Sequence, residues 1–378
     1  MRWALVAMAI TGCAFRHGVE ATPSSPTDGS TDTAIDTPLD AFDPLCFGPA
    51  PFVVCVPAVP STPLTIDSNV ITNPSATMGK CANDTGDIVT MGGGAQVCAI
   101  SATTLDLVLV AAAGSLPLVF VATETITVDG EISANSANTG NSGPGADSSL
   151  CGDMSMTSGT DSTQGAGGGA GGSFGGRGGN GGNGVSAAPG GLAIAAITAP
   201  QNVLHGGCVG GPGGAGDNGK APGGDGGGAV YLVARESIAL TSTAVVTASA
   251  GGGTGGSGYG GGGGGGSGGM IVLAAPTLTV DPAAQVFANG GGGGGGGGGT
   301  FDGSDGSLAT VLAGAASGGG VNESGATAGG NGGYEANSPG APAQSTGGGA
   351  GGGGGGVGVI RVMYGQTIPA ANVSPMPE

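Results

Sequence analysis

Lysine and arginine are scarce in this chain for its size. Seven of them face 25 Asp and Glu across 378 residues, for a net charge of −18. That balance disfavours nucleic acid as a partner, because such binding rests on basic side chains neutralising phosphates. It also sets the chain against anionic lipid surfaces, so the charge suits solubility better than recognition. Histidine is nearly missing, with only His17 and His205 present. Three-histidine zinc sites and Ser-His-Asp triads have no credible basis here. His205, in "NVLHGGC", reads as a surface residue beside a loop. Aromatics make up 3% of the chain, and the one tryptophan, Trp3, lies in the N-terminal apolar run. Any sugar-stacking platform would fall to Tyr231, Tyr259, Tyr334 or Tyr364, which argues against a carbohydrate-processing enzyme. No apolar run reaches the ~20 residues that a spanning helix needs. The nearest, residues 107–122, holds Gly114, Ser115 and Pro117 and reads as two strands and a turn. No stretch offers a long amphipathic helix.

Glycine is present in the opposite measure. There are 92, where average usage is about 7%. Ordering each backbone residue costs roughly 1–2 kcal/mol, so fixing all the glycines would oppose folding by on the order of 100 kcal/mol. The runs fall at residues 165–184, 206–228, 251–269, 290–299 and 347–356. Loose loops are one possibility, since closure entropy grows only logarithmically and ten glycines span roughly 17 Å. The ordered alternative is a set of polyproline-II-like segments, three residues per turn, with every N–H and C=O pointing outward. Only glycine lets such backbones approach closely enough to pair. The expectation is a packed glycine layer, built of polyglycine II helices, on one face of the solenoid.

The N-terminus, "MRWALVAMAITGCAFRHG", places Arg2 before an apolar run from Trp3 to Ile10. Ile10-Thr11-Gly12-Cys13 then resembles the bacterial lipobox, in which the cysteine is lipidated and becomes the first mature residue. Residues 1–12 are therefore expected to be a signal peptide, with Cys13 the lipidation site and membrane anchor. In the stretch that follows, Asp28, Asp32, Asp36 and Asp40 recur every four residues among prolines. That spacing would stack like charges on a helix, and Pro23, Pro26, Pro38 and Pro44 oppose one. Residues 13–50 read as an extended, self-repelling tether. Residues 51–368 read as the folded domain and 369–378 as a tail.

Six cysteines remain: Cys46, Cys55, Cys81, Cys98, Cys151 and Cys208. An even number in an exported chain points to disulfides, with 15 possible pairings. Pairing of neighbours closes the shortest loops, so 46–55, 81–98 and 151–208 are expected. None lies in a CxxC pair or beside a histidine, and neither a metal nor a cofactor is expected.

From about Pro51 the chain turns to short apolar alternations. "PLVFVATETITVDGEISANS" (117–136), "GAVYLVARESIALTSTAVVTASAG" (228–251) and "GMIVLAAPTLTVDPAAQVFANG" (269–290) align. Each supplies a β-branched strand, a small polar turn and two further alternating strands. A partial copy, "GVGVIRVMYG" (356–365), closes the series, and "LAIAAITA" (192–199) and "PLTIDSNVITN" (63–73) are weaker copies. A repeating unit of about twenty residues with three short strands suits one coil of a parallel β-helix. The fold class expected is therefore all-β, a parallel β-helix or solenoid with glycine-rich insertions; a β-sandwich of antiparallel hairpins is the alternative. These repeats, with "GGGGGGVGVIRV" and the acidic tether behind a lipobox, resemble the glycine-rich cell-surface lipoproteins common in myxobacteria. That group has no established activity or catalytic residues, so the resemblance implies a surface location and no chemistry.

The remaining motifs are weak. "GAGDNGKA" (214–221) misses a phosphate-binding loop by Ala221 and lacks the strand-to-helix context. "GGAGDN" (213–218) is a single copy of a calcium nonapeptide, and Asp225, Asp302 and Asp305 do not keep its period. Arg235-Glu236 is the best charged pair and falls at a turn. The reading is a non-enzymatic, lipid-anchored envelope protein at the outer membrane or cell surface, with a structural or adhesive role. Its partners would be the membrane through its lipid and extracellular polysaccharide or other surface proteins. The alternatives are a polysaccharide-active β-helix enzyme, or a carbohydrate- or ice-binding module using Thr125, Thr127, Thr277 and Thr279.

Overall fold

A computed structural model describes residues 43, 45–137, 142–151, 157–185, 188–197, 202–322, 325–335, 340, 341, 343 and 348–378. Residues 1–12, expected to be a signal peptide, and nearly all of residues 13–50, expected to be a tether, lie outside the described residues, Cys13 and His17 among them. Among those described the chain is all-β, with no α-helix and a 3-10 turn at Ala370–Asn372.

The strands in chain order are β1 (Cys46–Phe47), β2 (Val54–Cys55), β3 (Leu64–Ile66), β4 (Val70–Ile71), β5 (Lys80–Cys81) and β6 (Gly86–Thr90). Next come β7 (Gln96–Ala102), β8 (Leu105–Ala113), β9 (Leu118–Ala122), β10 (Thr125–Ser133), β11 (Ala229–Ala234) and β12 (Ser237–Leu240). The last are β13 (Val245–Thr247), β14 (Met270–Ala274), β15 (Thr277–Val280), β16 (Gln285–Phe287), β17 (Val359–Val362) and β18 (Val373–Ser374). Two sheets hold most of them. The seven-stranded sheet runs β17-β14-β11-β9-β7-β6-β5, and the nine-stranded sheet is built on β8, β10, β12/β13, β15/β16 and β18, with β3 and β4 on β8. Among the described strands pairing is antiparallel only at β1–β2, β5–β6 and β6–β7; the other pairs are parallel.

The aligned sequence segments pair in register. Ile100, Phe120, Leu232 and Leu273 form one row, and Val110, Ile132, Val246 and Val286 another. Both rows enter one buried cluster between the sheets. Period-two alternation produces this, because successive side chains of a strand point to opposite faces. Each fully buried branched aliphatic contributes roughly 1.5–3 kcal/mol. The seven-stranded sheet is apolar on its other face too, where Val119, Tyr231 and Val272 meet Phe47, Phe52, Val54 and Leu204. That second layer lets β9, β11 and β14 be buried along their whole length. Gly48, at φ +80°, is what admits the Tyr231 ring, since a Cβ there would overlap its hydroxyl.

Two sequence expectations change. The second and third strands of the 117–136 segment are one continuous β10, whose register on β8 shifts between Val128 and Glu131. Gly130 sits in that bulge against the Val108 carbonyl, where no Cβ fits. Residues 192–197 form no strand, because Ser173 Oγ donates to the Ile194 carbonyl at 2.9 Å and the Ile197 amide to the Phe174 carbonyl at 2.8 Å, tying the segment to the glycine region. The structure closes three disulfides, Cys46–Cys55, Cys81–Cys98 and Cys151–Cys208.

The glycine runs are hydrogen-bonded to one another with a three-residue rhythm. Along residues 261–269, the amides of Gly261, Gly264 and Ser267 donate to the carbonyls of Gly214, Gly211 and Cys208. Those of Gly262, Gly265 and Gly268 donate to Ala350, Gly353 and Gly356, and those of Gly263, Gly266 and Gly269 to Thr254, Gly251 and Ala248. Every third amide thus meets the same neighbour, which is the periodicity of polyproline II geometry. Residues 290–298 repeat the scheme against residues 333–327, 266–260 and 307–301. Side chains are excluded by the spacing: a Cβ on Gly264 would strike the Ala170 carbonyl, and one on Gly293 the Gly352 carbonyl. At Gly320 nothing lies within 4 Å of the same position.

Gly264→Ala should therefore lower stability by about 1–3 kcal/mol or more, the usual range for overpacking, while Gly320→Ala should leave the melting temperature nearly unchanged. Thermal denaturation of the two variants checks this. Amides of residues 290–298 should exchange with deuterium far more slowly than an open glycine chain, read by mass spectrometry; random-coil rates there would contradict the hydrogen bonding.

Candidate functional site

Because the strands stack in register, equivalent positions of successive segments line up on the outward face of the nine-stranded sheet. Glu131, Val245 and Gln285 form one such row, and Ser133, Thr247 and Phe287 the next. A third set continues past the strand ends as Asn135, Ser249 and Asn289. Asn135 Oδ1 accepts from Thr247 Oγ1 at 2.8 Å and from the Ser249 amide at 2.6 Å. Asn289 Nδ2 donates to the carbonyls of Val311 and Leu312 at 3.3 and 3.2 Å. Ser374 Oγ donates to Asn289 Oδ1 at 2.6 Å, which fixes the amide's orientation. These bonds pin the segment around Val311 beside the sheet and give the face a wall. The result is an open groove of about 800 Å3, with the first two rows and Asn135 as its floor and Ile71 and Val311 on its rim.

A second pocket, of about 540 Å3, has Asp147, Leu150 and His205 in its lining. His205 is buried, contrary to the surface position expected from sequence. Its ring packs 4.6 Å from that of Phe174, and Nδ1 donates to the Gly206 carbonyl at 2.7 Å. Burial lowers its pKa, with the Gly206 contact opposing. Sequence reasoning missed this because the covering Phe174 lies 31 positions upstream in another glycine run. Asp147 is half-buried, and its Oδ1 accepts from the Gly226 amide at 2.8 Å. Burial raises its pKa to about 7; the Gly226 bond opposes the shift and nearby Asp225 adds to it. Asp225 itself accepts from Ser142 Oγ at 2.8 Å.

The other residues singled out by sequence are dispersed. Arg235 lies in the turn after β11, its guanidinium 4.2 Å from the Phe47 ring centroid and 3.3 Å from the Asp43 carbonyl oxygen, so it serves to hold the N-terminal hairpin. Lys220, of the near-match to a phosphate loop, pairs with exposed Asp161 at 3.2 Å. Tyr231 is fully buried and cannot stack on a sugar, whereas Tyr259 and Tyr364 are exposed. The threonines do share rows, but Ser237 separates Thr125 from Thr277 and Ala239 separates Thr127 from Thr279. Among the described residues no group of three or more His, Cys, Asp and Glu is placed to hold a metal ion. No described helix is long and apolar enough to cross a membrane.

No protein-family model, curated protein or solved structure matches the chain. The groove residues were missed in the sequence, although a signal exists. "EISAN", "VVTAS" and "QVFAN" occupy the same place in the three aligned segments, and parallel pairing makes such positions neighbours.

The Asp147 carboxyl gives a test of the second pocket. The folded chain keeps a proton on Asp147 that the unfolded chain releases near pH 4. The native state thus binds more protons between pH about 4 and about 7, and this group's contribution to stability falls over that window and levels off above it. Denaturant melts across the window should show that decline shrinking in Asp147→Asn relative to the parent.

Proposed function

We propose that this protein is a non-enzymatic, lipid-anchored component of the cell envelope with a structural or adhesive role. The observation that supports it most is the three-neighbour hydrogen bonding of the glycine segments. It turns the least foldable part of the composition into a stiff body whose backbone polar groups are used internally. A network of that kind suits a rigid surface element more than a hinged catalytic one. The in-register parallel rows support reading the sheets as a parallel β-solenoid, and the three-residue rhythm supports reading the glycine segments as packed polyglycine II. Three disulfides fit an oxidising, extracytoplasmic compartment. The lipobox-like Ile10-Thr11-Gly12-Cys13 would supply the anchor, and the Asp/Pro stretch behind it would hold the body away from an outer-membrane or cell-surface attachment. The resemblance to the glycine-rich lipoproteins of myxobacteria agrees with that placement.

Cys13→Ala should move the protein from the membrane fraction to the soluble fraction or medium. Protease added to intact cells should shave the parent from the surface. Cell attachment should fall with release of the protein; release without any change in attachment would remove the adhesive role, and an unaltered membrane fraction would remove the anchor.

A further inference from the structure

The groove on the nine-stranded sheet has a chemistry narrower than surface attachment. Its floor cannot accept an added peptide strand by main-chain pairing, since β10, β13 and β16 already spend their amides and carbonyls on the sheet ladder. Recognition there must come from side chains. Among the described residues, the side chains of Asn69, Glu131, Gln285 and Thr310 have no hydrogen-bond partner, and all four line the groove. They offer amides, a hydroxyl and one carboxylate. Between them lie aliphatic surfaces: Val245 on the floor, with Ile71 and Val311 on the rim, 40% and 55% exposed. Glu131 and Gln285 flank Val245 two strand spacings apart, roughly 10 Å. The groove crosses the strands and is open, so a longer linear ligand can run through it.

Charge selects among linear ligands. Among the described residues no lysine, arginine or histidine lines the groove, and the one charged side chain there is Glu131. In a chain of net charge −18 an anionic polymer has nothing to pair with. A strongly cationic one would call for more than a single carboxylate. What fits is a ligand carrying hydroxyls for the amides and C–H faces for the aliphatics. We propose that the groove binds an uncharged, extended polysaccharide, through hydrogen bonds from Gln285, Asn69 and Thr310 and aliphatic contact at Val245, Ile71 and Val311. This rests on the surface reading for its biological sense but not for its test, which uses purified protein.

The full chain carrying Cys13→Ala would be run by affinity electrophoresis through gels containing galactomannan or dextran, and through gels containing alginate. Retardation by a neutral polymer and none by alginate is the expected result. Gln285→Ala and Thr310→Ala should each weaken binding about three- to tenfold, the range for one lost neutral hydrogen bond, with melting temperatures kept. Glu131→Gln, which removes the charge and keeps hydrogen bonding, should bind as the parent does. Retardation by neither neutral polymer, equal retardation by alginate, indifference to Gln285→Ala and Thr310→Ala, or loss of binding in Glu131→Gln would each overturn the proposal. So would displacement of the polymer by an extended apolar peptide, which would assign the groove to a protein partner. None of these outcomes bears on where the protein resides, which the Cys13 fractionation decides separately.

Discussion

The Gly294 amide donates to the Gly263 carbonyl at 2.8 Å while passing the Thr254 carbonyl too closely for any Cβ. That kind of contact, backbone against backbone with no side chain between, organises the glycine half of the molecule. A buried peptide group left unpaired would lose the hydrogen bond it had with water. In residues 261–269 each amide has a carbonyl on one of three surrounding segments. Each glycine therefore serves two requirements at once, closeness and satisfaction, and an alanine in its place would fail the first.

Such a bundle does not stand on its own energetics. A backbone hydrogen bond contributes a net of about 0.5–1.5 kcal/mol, while fixing the residue that makes it costs roughly 1–2 kcal/mol. The two nearly cancel, and burial of side chains adds little where there are none. The β-rows tip the balance, because their branched aliphatics each contribute roughly 1.5–3 kcal/mol. Since β11, β14 and β17 pair in register, the glycine segments that enter them, ending at residues 228, 269 and 358, arrive already side by side. The Cys151–Cys208 disulfide adds a covalent tie between two glycine-rich stretches. The sheets thus hold the glycine segments in the order in which their amides and carbonyls meet.

The same register creates the groove. Residues that would be scattered polar positions in a loop become rows when parallel strands repeat one pattern, and Asn289 then secures the segment around Val311 at their edge. The inward rows were legible in the sequence, since Ile126, Ile238 and Leu278 stand at the same place in three aligned segments and do pair. The outward rows were legible in principle by the same alignment, but Glu131, Val245 and Gln285 share no chemistry, so sequence gives no reason to group them. The burial of His205 and Tyr231 was not legible. Phe174 covers the one, and the loop around Gly48 and Phe52 covers the other; both come from far along the chain.

Composition and alternation alone established that the chain is all-β, that its strands repeat, and that the glycine runs lie between them. The reason is local: period-two burial and the absence of a Cβ are properties of the residues themselves. Which carbonyl each glycine amide meets, which direction neighbouring segments run, and which outward side chains share a groove depend on how the segments stack. Those choices are made between residues up to about two hundred positions apart, as in Gly353 against Gly169. A run of identical glycines carries no mark that could specify a partner, so only the packed structure could decide them.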